Sequence, residues 1–210
     1  MKKQLILFVL LLCCFSCVSQ KKGVIAKSTI KLEGRNTNIR DLIEIDGYYY
    51  YQEQDYPGYR MFFEDGTYVS FSFNRDIPEN ERKTNMSKSV TRWIGNKQVN
   101  WGNYWGVYKI EGDTLIAYYY LRGSFWTPWY LNELRYKIID RTTILPIYSK
   151  GLLPSDEQYG RDPWLKNANY FHFTPADSLP SSDNWLKEEK WIWRNEQDWR
   201  DYMEKIKQKK

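Results

Sequence analysis

Few side chains in this chain could carry catalysis. Its single histidine, His172, lies between Phe171 and Phe173. A catalytic zinc of the usual kind wants two or three histidines, and a Ser-His-Asp triad would have to use His172 as its base. In a strand the His172 side chain faces away from both phenylalanines, which fits a surface or structurally bonded histidine better than a base. Paired carboxylates are the remaining route. Glu53, Asp55, Glu64 and Asp65 fall near the ends of one hairpin and its neighbour. Glycoside hydrolysis needs two carboxyls roughly 5 to 9 Å apart across a cleft. Asp65, beside Gly66, reads more simply as a turn residue, and the others as solvated charges. No phosphate-cradling glycine pattern, calcium loop or nucleotide fingerprint is present. Cys13, Cys14 and Cys17 are the only cysteines, so a domain beginning after them has no thiol or cysteine–zinc chemistry. These residues favour binding over catalysis and imply no metal or cofactor. A carboxylate-based hydrolase is the residual enzymatic alternative.

Binding chemistry is better supplied. The chain holds 10 Trp, 18 Tyr and 9 Phe, and rings of this kind either fill a core or present flat, partly polar surfaces. Phe125-Trp126-Thr127-Pro128-Trp129-Tyr130 falls between two expected strands, where a barrel rim would be. Tyr118, Tyr120, Trp126, Trp129 and Tyr136 are the candidate pocket or rim residues. They would face a small apolar ligand, a glycan or a partner protein. The competing reading makes Trp126 and Trp129 core lids that close the barrel end.

The elements that would position these side chains are mostly strands. Asp46-Gly47 is a turn before Tyr48–Tyr51, and Pro57-Gly58 is another. Tyr59–Glu64 and Thr67–Asn74 form a hairpin around Asp65-Gly66. In it Val69, Phe71 and Phe73 alternate with Ser70, Ser72 and Asn74, which predicts one buried face. Residues 75 to 92 are polar and read as a long loop. Strand signals return at Trp93 and Trp101. Trp105–Ile110 and Thr114–Leu121 form a second hairpin, with Gly112 at a positive-φ position. Tyr130–Ile139 and Thr142–Tyr148 form a third, turning at Asp140-Arg141. Gly151 to Lys166 is a loop, and Asn169–Phe173 a further strand. Asn195 can cap a helix on which Trp199, Tyr202, Met203 and Ile206 make one apolar stripe. That stripe would pack on the sheet or plug one end of it. About eight short antiparallel strands and a short C-terminal helix give an all-β chain, and closure into an up-and-down barrel removes exposed strand edges.

The N-terminus carries an address. Lys2 and Lys3 precede an apolar run, Leu5 to Leu12, far shorter than the ~20 residues of a membrane-spanning helix. That reads as a secretory signal. Ser16-Cys17 resembles the end of a bacterial lipobox, although Phe15 departs from the small or aliphatic residue usual there. The resemblance implies a signal peptide over 1–16, lipidation at Cys17 by fatty acyl groups, and attachment to the membrane through that anchor. Residues 17–40 read as a polar tether and 41–210 as one barrel domain with its helix. Removing the first 16 of 210 residues leaves 194, enough for one core of ordinary size. The formal charge of +5 loses the two leader lysines, and so small an excess argues against nucleic acid.

Trp105-Gly106-x-Tyr108-x-Ile110-x-Gly112-Asp113-Thr114-Leu115 is similar to a recurring stretch of lipocalin-like lipoproteins of the Bacteroidota. Gly47-Tyr48, Phe62-x-x-Asp65-Gly66, Tyr136-x-Ile138-x-Asp140 and Tyr170-Phe171-His172-Phe173 extend the likeness over roughly residues 45–175. It implies a lipocalin-like fold and a location in the cell envelope at the outer membrane, with no reaction and no functional residues to carry over. The expected function is binding of a small apolar or glycan-type ligand. The alternative is a non-catalytic accessory partner of an outer-membrane protein assembly.

Overall fold

The computed structural model describes residues 30–32, 37–51, 58–72, 103–122, 129–151, 170–177 and 179–208. The leader and most of the tether lie outside these residues. So do Glu53, Asp55, Phe73, the 75–92 loop, Trp93, Trp101, Phe125–Pro128 and most of the 151–166 loop.

Turn chemistry sets the strand ends. β1 (Gly47–Tyr51) is followed by β2 (Gly58–Phe62), β3 (Thr67–Ser72), β4 (Asn103–Glu111) and β5 (Thr114–Arg122). β6 (Trp129–Asp140), β7 (Thr143–Gly151) and β8 (Phe171–Pro175) complete the sheet. Between β2 and β3 the Asp65 carboxylate accepts the Thr67 N–H at 3.0 Å and its hydroxyl at 2.6 Å. Asp140 does the same for Thr142 between β6 and β7, at 2.7 and 2.8 Å. Gly66 and Gly112 stand at φ of 87° and 59°, conformations that cost a residue with a Cβ.

Each strand pairs antiparallel with the next, and β1 pairs with β8, so the eight strands close into a barrel in chain order. This is the up-and-down barrel expected. Every named hairpin is present, and the late strand is β8.

The period-two pattern has a different outcome from the one expected for the first hairpin. Tyr68 and Val69 are both fully buried, and Ser70 nearly so. Both faces of β3 are covered, by different layers. Tyr68 belongs with Tyr49, Phe62, Tyr108, Leu115, Tyr136, Ile144 and Phe171, a cluster drawn from all eight strands. Its ring contacts join strands that are not neighbours, such as Phe62 on β2 with Tyr136 on β6 at 6.2 Å. Such contacts can only cross the lumen. Val69 and Phe71 instead join Tyr59, Met61, Trp105, Val107 and Ile116 on the outer wall. Over that wall lie Trp185, Leu186, Ile192 and Trp193. The apolar set of β3 therefore faces outward beneath a cover, and Ser70 faces inward.

The cover comes from the C-terminal segment. It comprises α1 (Trp185–Glu188), a 3-10 turn (Lys190–Ile192) and α2 (Glu196–Gln208). Asn184 caps α1 by accepting the Leu186 N–H at 2.9 Å, and Asn195 accepts the Gln197 N–H at 2.8 Å as α2 begins. Trp199 and Tyr202 pack against the cover itself, Tyr202 with its ring 5.5 Å from that of Trp193 and Trp199 donating to the Glu188 carbonyl at 3.1 Å, so the helix stripe lies on α1 and the segment after it and neither rests directly on the sheet nor plugs its end. Ile30 and Leu32, within the stretch read as tether, are buried in the same layer, and Leu32 bridges Trp193. The end of the barrel holding the three tight turns is closed by Ile39, Ile43 and Ile45, which precede β1. Arg40 pairs there with Asp46 at 2.7 Å and with Glu64, and Arg141 with Glu44 at 2.8 Å.

Candidate functional site: the inner wall of the barrel

β2 reads Gly58-Tyr59-Arg60-Met61-Phe62. Tyr59 and Met61 belong to the outer wall, so strand alternation turns Arg60 inward. Its register partners are Tyr49 on β1 and Ser70 on β3. The Arg60 Nε donates to the Tyr136 hydroxyl at 2.8 Å, reaching across from β2 to β6. Nη1 donates to the Tyr59 carbonyl at 2.8 Å. The guanidinium carbon sits 5.1 Å from the Phe171 ring centroid, a cation–π distance. The Tyr136 and Tyr68 hydroxyls are 3.0 Å apart.

Arg60 is half-buried, so part of its surface is accessible. Tyr68 and Tyr136 behave otherwise and are fully buried. Burial pushes the Tyr68 hydroxyl well above its usual range, with Arg60 pulling more weakly the other way, so it stays a neutral donor. Arg60 keeps its charge, because a guanidinium does not deprotonate in proteins. Among the described residues no carboxylate pairs with it.

The sequence-derived candidates separate. Tyr136 is in this cluster. Tyr118 faces the outer wall, where its hydroxyl donates to the buried Glu133 at 3.0 Å. Glu133 is also held by Arg135 at 2.5 Å. Tyr120 lies on β5 opposite Leu131, and Trp129 opens β6 opposite Arg122. Trp126 is outside the described residues. His172 is on the outside of β8, exposed, while Phe171 points inward. Glu64 and Asp65 do not form a pair. Glu64 is bound to Arg40, and Asp65 to Lys187. Among the described residues no group of metal-ligating side chains gathers. Two surface clefts of about 370 and 320 Å³ lie near the closed end, around Lys31, Thr37 and Arg194 and around Arg40, Asp46 and Leu179.

Arg60 is the residue that motif reading misses. The signal was an arginine in the middle of Gly58-Tyr59-Arg60-Met61-Phe62, a strand too apolar for its one charge to be incidental.

The fold and this wall define a closed eight-stranded antiparallel barrel with one face overlaid by its C-terminal segment and an arginine in its lumen. No family model matches the chain, and the searches of curated proteins and of solved structures found no match either.

Proposed function

We propose that this chain is a lipid-anchored protein of the cell envelope, akin to the lipocalin-like lipoproteins of the Bacteroidota, whose barrel holds a small, mainly apolar ligand in its lumen. The barrel fold is compatible with that role. The observation carrying the binding half is Arg60, a partly accessible cation inside a lumen otherwise lined mainly by aromatic and aliphatic side chains. A barrel filled only for support has no need of it, since among the described residues no carboxylate pairs with it and a half-buried charge without one is costly. Binding sites, in contrast, are mostly apolar concavities with a few placed polar groups. The anchoring half rests on Ser16-Cys17 and the basic and apolar residues before it.

The test is native mass spectrometry of the full chain carrying Cys17→Ser, expressed with its own leader and purified gently. A discrete added mass, lost on denaturation, is expected. A bare mass from protein shown to be folded, together with no uptake of added amphiphiles, overturns the binding reading.

A further inference from the structure

We infer that Arg60 holds the head of the ligand, and that this ligand is an amphiphile bearing a single carboxylate. The inference rests on the binding reading above and narrows it to a chemical class.

The donor inventory points to an acceptor. A guanidinium has five N–H groups and no acceptor. Arg60 directs one to Tyr136 and one to the Tyr59 carbonyl. Among the described residues the other three N–H groups, all on the terminal Nη atoms, have no acceptor, and they lie on the edge suited to two parallel bonds with a carboxylate. Of the two phenols nearby, each has one proton, and one proton is used in their mutual bond. The cluster is rich in hydrogen-bond donors and carries one positive charge.

Geometry agrees. Phe171 stands over the guanidinium, and Tyr136 occupies its Nε edge, so approach is left to the Nη edge. Position 58 is glycine. A Cβ there would stand 3.5 Å from Nη1, 3.8 Å from Nη2 and 3.7 Å from the Phe171 ring. A larger side chain would therefore take the space beside the Nη atoms. Among the described side chains Arg60 is the only basic group directed into the lumen, which suits one negative charge better than two. The half-buried inward rings of Tyr51 and Tyr119 offer apolar surface for the remainder of the molecule.

The experiment is calorimetric titration of the Cys17→Ser chain, stripped of bound material, with hexadecanoate, hexadecanol and hexadecyl phosphate. Hexadecanoate is expected to bind at least ten times more tightly than hexadecanol. Arg60→Gln is expected to weaken hexadecanoate by roughly 10- to 100-fold, the range for losing charge-assisted hydrogen bonds, and to leave hexadecanol within about threefold. Gly58→Val keeps the charge and fills the space, so it should weaken both. It also keeps the test decisive if Arg60→Gln does not fold. Equal binding of acid and alcohol by the parent chain overturns the inference and leaves the binding reading standing. Tighter binding of the phosphate overturns the carboxylate assignment. No binding of any of the three by folded protein, with no copurified mass, removes both readings.

Discussion

The ammonium of Lys187 on α1 lies 2.5 Å from the carboxylate of Asp65 in the β2–β3 turn, fastening the C-terminal cover to the barrel. Lys187 is almost wholly buried, its side chain 6% exposed against 28% for Asp65. Ser182 also donates to Asp65, at 2.8 Å. One carboxylate thus serves two ends: Oδ1 shapes the turn, and Oδ2 binds the cover.

Lys187→Met should destabilise the fold by about 2–3 kcal/mol, below the usual cost of orphaning a buried charge because Asp65 is partly solvated. Urea denaturation at neutral pH measures it. A change under ~0.5 kcal/mol would mean that the pair contributes nothing.

Asp65 also predicts an acid dependence. Burial alone would raise its pKa, but Lys187, Thr67 and Ser182 together hold it below the ordinary aspartate value. A carboxyl depressed in the folded state stabilises above its unfolded pKa, ~3.9, and that stability is lost as pH falls through the folded value. Urea midpoints should therefore drop below about pH 4, and the drop should be smaller in Asp65→Asn. Identical acid profiles for the two proteins would refute the assignment.

Arg60 and Tyr136 should be energetically coupled. A cycle of Arg60→Met, Tyr136→Phe and the double variant should give an interaction of about 1 kcal/mol or more. Additivity within ~0.5 kcal/mol would show that their bond adds no stability.

Ending the chain at Asp183 removes the cover from Val69, Phe71, Trp105, Val107 and Ile116. The shortened protein should bind anilinonaphthalene sulfonate strongly and aggregate, as large exposed apolar patches do. Ile192→Ala, within the intact chain, should cost about 2–5 kcal/mol. A soluble, dye-silent truncation would show that the barrel stands without its cover.

If Cys17 is acylated, cells fed a labelled fatty acid should label the parent protein and leave Cys17→Ser unlabelled. Label retained on Cys17→Ser would place the acylation at another residue and refute the assignment to Cys17.

Hairpins and their turns were legible in the sequence because their signals are local. Asp65-Gly66, Glu111-Gly112-Asp113 and Asp140-Arg141 each dictate a turn from two or three residues. Asn195 announced the last helix in the same way. What faced inward was not legible. The alternation of Val69 and Phe71 with Ser70 shows that two faces differ, and does not tell which is the lumen. That choice depends on residues 184–193, more than a hundred positions later, covering the outer wall. For the same reason Tyr118 and Tyr136, alike in composition and both on strands, end on opposite sides of the sheet. Arg60 became visible as a site only once β6 and β8 brought Tyr136 and Phe171 to it.

The bridge between Leu32 and the C-terminal segment has a mechanical consequence. The Leu32 N–H donates to the Ile192 carbonyl at 2.7 Å, and the Arg194 N–H donates to the Leu32 carbonyl at 2.9 Å. Tension applied at Leu32 loads these two bonds before it reaches any described strand of the barrel. The load path runs from Leu32 into the segment around Trp193 and so into the outer wall, while Ile39, Ile43 and Ile45 stay unloaded until the bridge parts. A barrel pulled at Leu32 would shed its outer clasp first and keep the closed end of its lumen sealed.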